Sequence, residues 1–397
     1  MQRLRANVSR AGTGAVSSMG LLKGGESPVV VSENESAAGF EMSNRPIASS
    51  IELTILDPLQ DAGWDGLVIS HPDYTFFHSA AWAKVLATTY RHNPFYLKFS
   101  RHGEMVALVP LMEIRSRLTG RRGVCLPFSD FCPPLIFDQS ESQRVTTKIS
   151  QLARERDWRY FEFRGGRKML PATGPVVAAR QFYGHKLALS EGADQLLVRF
   201  ASPVRRAIRK AQRSSLNVQV ATSQEAVLEF YRLHVRTRRR HGIPPQPLSF
   251  FLNIYREVIR DGGGFIVLAG SGGKCVAAAV FLQFGKKAVY KFGASDEAYQ
   301  GFRGNNLIMW EAIRFLTEHG AQSLHFGRTD MPNEGLRRFK MGWGAEEEII
   351  EYFEFDTETE AWKSSGRDGA GFYNKIFRRL PLALNRFAGS VIYPHLD

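Results

Sequence analysis

Between Gly327 and Ala345 one short run holds Arg328, Asp330, Asn333 and Lys340, side chains that bind charge or move protons. The run leaves an expected strand at 322–326, turns through Asp330, Pro332 and Asn333, and starts a helical turn near Gly335. Polar side chains just past a strand's end in an α/β sheet line ligand crevices. Helical spacing buries Phe339 and Trp343 and points Lys340 elsewhere. Asp330 is a candidate general base by position alone; an acceptor could also lose its proton to substrate or to water. The plainer alternative is a loop that only connects two strands.

A second cluster lies on an expected helix at 202–211. Ser202 reads as its N-cap and Pro203 as its first residue. Val204, Ile208 and Ala211 share one face, which leaves Arg205, Arg209 and Lys210 outward or on a flank. Guanidinium groups presented in this way grip phosphate oxygens bidentately; a surface helix crossing between two halves is the bland reading. Other chemistry is poorly represented. His234, His241, His319 and His325 have no metal-ligand spacing, so no metal is expected. No nucleophile elbow supports a serine-histidine-carboxylate triad.

The elements that must position these residues come in two similar sets. Residues 95–99 and 105–109 read as a hairpin around His102-Gly103, followed by a helix at 142–156 and a strand at 159–163. In the second set, 265–269 leads through Gly270 to Gly273 into the strand 275–284. Aligning Phe95 with Phe265 also matches Gly103 with Gly273, Val106 with Val276 and Ala107 with Ala277. The segment 160–164 resembles 324–328. Such ordered similarity is what a duplicated domain leaves behind. Helices at 223–240, 249–260 and 305–319, with strands at 287–293 and 322–326, complete an α/β pattern of mixed sheets. The expected organisation is a disordered tail at 1–48, a first domain at 51–190, a second at 195–356 carrying the site, and a tail at 357–397. Residues 373–387 alternate apolar and basic side chains like an amphipathic helix.

The chain has 397 residues, 44% of them hydrophobic and 23% charged, an ordinary balance for a folded core. Cys125, Cys132 and Cys275 form neither a disulfide framework nor a metal pattern. No apolar stretch is long enough for a membrane helix, and Arg3, Arg5 and Arg10 precede no apolar segment of a secretory signal. A cytoplasmic location is expected. The net charge of +13 is uneven: between Arg199 and Arg240 eleven Lys or Arg face only Glu225 and Glu229. Concentrated positive charge suits phosphates, nucleic acid or an anionic membrane surface, or is a solvated helical face.

Five segments in order, 78–82 (HSAAW), 126–130 (LPFSD), 205–210 (RRAIRK), 290–295 (YKFGAS) and 335–340 (GLRRFK), resemble the FemAB-type branch of the GNAT acyltransferase superfamily. The resemblance spans about 51–355. It implies two tandem GNAT-like domains and transfer of an aminoacyl or acyl group to an amine or, less often, a hydroxyl. No cofactor is bound permanently; the donor is aminoacyl-tRNA or acyl-CoA. The implied acceptor is a phosphate-bearing precursor of peptidoglycan, the wider cell envelope or an exopolysaccharide. The lysine matching Lys340 lies at the reaction centre in that family, where a cation stabilises an oxyanion. Arg205 and Arg209 would hold substrate phosphates. Tyr290 could donate a hydrogen bond or position the acceptor, although a strand tyrosine commonly just packs. The usual pyrophosphate loop is degenerate here: 301–306 reads GFRGNN, without the leading Gln or Arg and with Asn306 in place of a small residue. It still opens a helix, where Arg303 and Asn305 could meet an anion. That departure favours aminoacyl-tRNA over coenzyme A.

Three functions compete at this point. The first is FemAB-like acyl transfer. The second is a coenzyme A-dependent N-acetyltransferase acting on an amino sugar or small molecule. The third is a non-catalytic basic module. Residues 377–396 could add a peripheral contact at the inner face of a membrane, or be a last packed helix.

Overall fold

The computed structural model describes residues 50–170, 176–364 and 371–396. The expected tail at 1–48 lies outside them. The two halves share one strand plan. In the second, Asn217–Ala221, Gly264–Ser271, Lys274–Phe284 and Lys287–Ser295 run antiparallel in that order. Ser323–His325 then joins Lys287–Ser295 in parallel. In the first half, Glu52–Leu56, Tyr96–Arg101 and Glu104–Val109 begin the same series. Pro110, which has no N–H to donate, separates Glu104–Val109 from Met112–Ser116; that strand pairs with Gly120–Val124, whose parallel neighbour is Tyr160–Arg164. Parallel neighbours need a crossover, supplied here by the helices Ser142–Glu155 and Gly304–Glu318. The matched hairpins also share their turns. His102 and Gly103, like Gly272 and Gly273, all have positive φ, as a two-residue primed turn requires.

The halves exchange strands. Arg180–Ala188 pairs with Ser323–His325 of the second half, and Glu346–Asp356 pairs with Tyr160–Arg164 of the first. The two exchanged strands also pair with each other. One continuous sheet therefore runs through the segments expected as two domains, and segments beside its two parallel pairs meet where Lys291 reaches Asp130.

Several expectations need correction. The strands Asn217–Ala221, Arg180–Ala188 and Glu346–Asp356 escaped the hydrophobic pattern because each is only partly buried. Ser202 is not a cap: Ala201 holds that position, and the Ser202 hydroxyl accepts a hydrogen bond from Arg206 at 2.7 Å. Val204, Ile208 and Ala211 are buried as their spacing predicts, Val204 and Ile208 in the same core as Phe200, Trp310 and Trp343. The amphipathic helix expected at 373–387 is two helices, Gly371–Arg379 and Leu382–Ile392, split at Pro381. Among the described residues no helix is long and apolar enough to cross a membrane.

Candidate active site

The loop 126–130 leaves the strand Gly120–Val124 with Leu126 at φ 47° and Phe128 at φ 59°, a region that residues with a Cβ rarely occupy. Such strain persists only where surroundings over-determine it. Here Arg164 donates to the carbonyls of Leu126 and Ser129, both at 3.1 Å. Lys291 donates to the Phe128 carbonyl at 2.7 Å, and the Tyr352 hydroxyl donates to the Asp130 carbonyl at 2.7 Å. The loop delivers the Asp130 carboxylate into the interior, 2.9 Å from the ammonium of Lys291.

Lys291 gets there through a β-bulge. Phe292 pairs with Val280 and Tyr290 with Phe281, which leaves Lys291 as the extra residue of its strand. A bulge re-aims a side chain, and bulges gather beside active sites. On the other side of Asp130 stands Gly327 at φ 69°, where an added Cβ would lie 3.3 Å from the carboxylate. A residue larger than glycine would be strained there and would crowd Asp130.

Lys340 enters from the helix Glu334–Met341 and is only 2% exposed. Its ammonium donates to the carbonyls of Gly327 at 2.8 Å and Arg328 at 3.0 Å. An ammonium has three protons, so one remains for a ligand. Burial pulls Lys340 down to about 8, against the opposing pull of Asp130 and Asp330. Burial alone would raise the Asp130 carboxyl, but Lys291, Arg328 and Lys340 overcome it and hold the group below its ordinary value. One buried carboxylate thus shares its surroundings with three cations. Arg328 donates to the Tyr352 hydroxyl at 2.7 Å and lies over the Phe182 ring.

A network behind Lys340 fixes its helix. Arg337 binds Glu347 through two contacts of 2.7 Å, and Glu347 in turn meets His185 at 3.0 Å. His325 accepts from the Gly327 N–H, which leaves its other ring nitrogen to donate to Glu348 at 3.0 Å. Burial keeps both histidines below their usual value.

A separate cavity of about 200 Å³ opens at the N-terminus of the helix Gly304–Glu318, lined by Ser295, Asp296, Arg303, Asn305, Asn306 and Phe339. Free N–H groups at a helix N-terminus attract anions. Arg240 reaches the Ser295 carbonyl at 3.4 Å, and Asp296 is paired with Lys274 at 3.0 Å and Arg236 at 4.0 Å, so cations ring the mouth. Phe339, which lines this cavity, is the sequence neighbour of Lys340.

The residues singled out in the sequence therefore divide. Lys340 and Arg328 converge on Asp130 and Lys291. Arg303 and Asn305 sit at the cavity. Asp330 is exposed beside the site, on the short strand Thr329–Asp330. Tyr290 packs on Phe281 with ring centroids 5.4 Å apart, and burial pushes its hydroxyl up to about 12. Asn333 caps the helix Glu334–Met341 by accepting from the Leu336 N–H at 3.1 Å. Arg209 and Lys210 are exposed on the outer helix, and Arg205 donates to the Val198 carbonyl at 3.0 Å. Asp130, Lys291, Tyr352, Arg236 and Arg240 were not singled out as site residues.

Residues 199–341, which span the cavity, the bulge and Lys340, match a family described as an acetyltransferase (GNAT) domain. Those residues, about a third of the chain, are thus similar to a GNAT domain. Over 75 residues it is 35% identical to the lipid II:glycine glycyltransferase of Staphylococcus haemolyticus and 31% identical to that of Staphylococcus aureus. Each match covers 17% of this chain and 18% of the relative, so the chain aligns with under a fifth of the curated relatives' length. Among solved structures, the crystal structure of FemX superposes with a TM-score of 0.60 at 18% identity, covering 77% of this chain and 97% of that one. A conserved protein of unknown function from Bacteroides thetaiotaomicron VPI-5482 gives 0.51 at 12% identity, covering 76% and 98%. These likenesses agree in an α/β fold with mixed sheets.

Proposed function

We propose that this chain belongs to the FemAB-type branch of the GNAT superfamily and transfers an aminoacyl or acyl group from aminoacyl-tRNA or acyl-CoA onto an amine, less often a hydroxyl, of a phosphate-bearing cell-envelope or exopolysaccharide precursor. The observation that carries this is Lys340: a buried cation, held by two carbonyls, with one proton to spare near the carboxylates of Asp130 and Asp330. When an amine attacks an acyl carbonyl, negative charge develops on the carbonyl oxygen. A preorganised cation in a water-poor site stabilises that charge far better than water does. Arg328 and Lys291 add to the positive field, and Asp130 keeps the cluster from repelling itself apart. Asp330, exposed beside Lys340, would take the acceptor's proton. Arg205, Arg209 and Lys210 would hold phosphates on the approach to the site. The printed name of the staphylococcal relatives speaks of lipid II and glycine; an acceptor of that class, met from the cytoplasm at a membrane's inner face, suits the cation-rich surface.

The cavity at Gly304 favours a second reading, a coenzyme A-dependent N-acetyltransferase of an amino sugar or small molecule, because ringed cations and a helix N-terminus suit a pyrophosphate. Titration of the purified protein with coenzyme A and with bulk aminoacylated tRNA, at two salt concentrations, separates the donors. Salt-sensitive tRNA binding without coenzyme A binding supports aminoacyl transfer; tight coenzyme A binding selects the second reading. Failure to transfer from either donor to any envelope precursor would overturn both and leave a basic binding module.

A further inference from the structure

The C-terminal helical pair docks by one side and leaves a different kind of surface on the other. On its packed side Asn385 and Gly389 are buried. Asn385 donates to the Phe377 carbonyl at 2.9 Å, and a Cβ at Gly389 would stand 2.0 Å from the Pro245 carbonyl oxygen. Away from that contact Leu384, Phe387 and Val391 are 54%, 68% and 48% exposed. Their spacing of three and four residues places them on one stripe of the helix Leu382–Ile392. Ile376 is also exposed on the preceding helix, beside exposed Lys375, Arg378 and Arg379. Between residues 371 and 396 the chain has four Lys or Arg and no Asp or Glu.

A second element extends this surface. His395 meets the Ser116 hydroxyl at 3.0 Å, and its carbonyl accepts from Arg122 at 2.8 Å and Thr119 at 3.2 Å. These bonds tie the pair to the turn carrying Leu118, 75% exposed, and exposed Arg117. Apolar tips flanked by cations thus occur on both partners of one packed contact.

We propose that this surface docks on an anionic lipid bilayer, with Leu384, Phe387 and Val391 entering the headgroup boundary and Lys375, Arg378 and Arg379 meeting lipid phosphates. An amphipathic helix lying in the membrane plane has this division of faces. Anionic lipids attract each cation near the surface. A second copy fits poorly, since it would bring like charges together. The inference deepens the membrane placement in the proposed function and rests on that placement alone, not on the transfer chemistry.

Flotation of the full chain with phosphatidylcholine vesicles, with and without phosphatidylglycerol, tests it. The chain is expected to float with the anionic vesicles at low salt and to release as salt rises. Replacing Leu384, Phe387 and Val391 together by Ser is expected to lower the vesicle-bound fraction about tenfold or more, with the melting temperature unchanged because all three are exposed. Lys375→Glu with Arg379→Glu is expected to remove the preference for anionic lipid. The proposal is overturned if the wild-type chain does not float, if the triple variant floats equally well, or if sedimentation shows a dimer that depends on these residues while vesicles go unbound. Vesicle binding without transfer of any acyl group would count against the enzymatic reading and leave the docking surface standing.

Discussion

Lys291 Nζ stands 2.9 Å from the Asp130 carboxylate, and the two residues come from different halves of the chain. One is the extra residue of a bulge and the other ends a strained loop, so the ion pair forms only when both irregular features are in place. Removing one partner leaves the other charge buried and unpaired, which costs about 3–5 kcal/mol. Asp130→Ala and Lys291→Ala are each expected to lose stability on that scale in denaturant unfolding. The double change Asp130→Ala with Lys291→Ala should cost less than the two single changes added together. Single losses below about 1 kcal/mol would mean that solvent screens the pair as at a surface.

In the proposed transfer Lys340 works as a cation, and burial brings it down to about 8, so transfer should fall as pH rises through that value. Asp130 is one of the groups holding Lys340 up; Asp130→Asn should therefore move the limb to lower pH. Lys340→Met should reduce turnover by about 10²–10³-fold, the scale of losing one oxyanion donor. Stability follows the opposite sign. The folded value lies below the ordinary 10.5, so the burial penalty, about 3 kcal/mol, is fully present below pH 8. It is relieved as pH rises from there towards the unfolded value. Lys340→Met removes that penalty but leaves the Gly327 and Arg328 carbonyls unpaired, at about 1–3 kcal/mol each. The two effects oppose, and thermal melting should show little change while activity is lost.

Lys340 and Arg328 were legible in the sequence because they sit in one run with a turn between strand and helix. Asp130 and Lys291 were not, because they meet across 161 residues of chain and because a bulge leaves no periodic signal. Both lie in segments whose resemblance to a family was visible, yet resemblance of a segment does not say which side chain turns inward. The exchanged strand Glu346–Asp356 opens with Glu346, Glu347 and Glu348, three acids in a row that carry no alternating strand pattern. Two of these acids are satisfied by Arg337, His185 and His325, partners from three other elements. Asn333 looked like a ligand for the same reason that it caps a helix, since a short side-chain oxygen serves both roles.

The repeat seen between 160–164 and 324–328 has a physical counterpart. Its matched arginines, Arg164 and Arg328, lie 5.2 Å and 5.5 Å from the ring of Tyr352. The Tyr352 hydroxyl accepts from Arg328 and donates to the Asp130 carbonyl, joining the two halves at one atom. Tyr352→Phe keeps the ring and deletes both bonds. It is expected to cost about 1–3 kcal/mol, since a buried guanidinium proton and a carbonyl lose their partner. Because the strained 126–130 loop also loses a restraint, transfer should fall even where the protein remains folded, as a kcat loss at temperatures well below melting would show.

Arg209 and Lys210 test whether the outer helix grips a polyanion. Both are exposed and bind nothing that the fold requires, so Arg209→Glu with Lys210→Glu should leave stability within about 0.5 kcal/mol. If they meet the phosphates of a tRNA donor, the variant should bind aminoacylated tRNA more weakly at low salt. Its plot of log affinity against log salt should also flatten by about 0.7–0.9 per lost contact. Coenzyme A should bind as before, because Arg303 and the helix N-terminus at Gly304 remain. An unchanged salt slope would remove these residues from the donor path and shift attention to Arg236 and Arg240 at the mouth of the cavity.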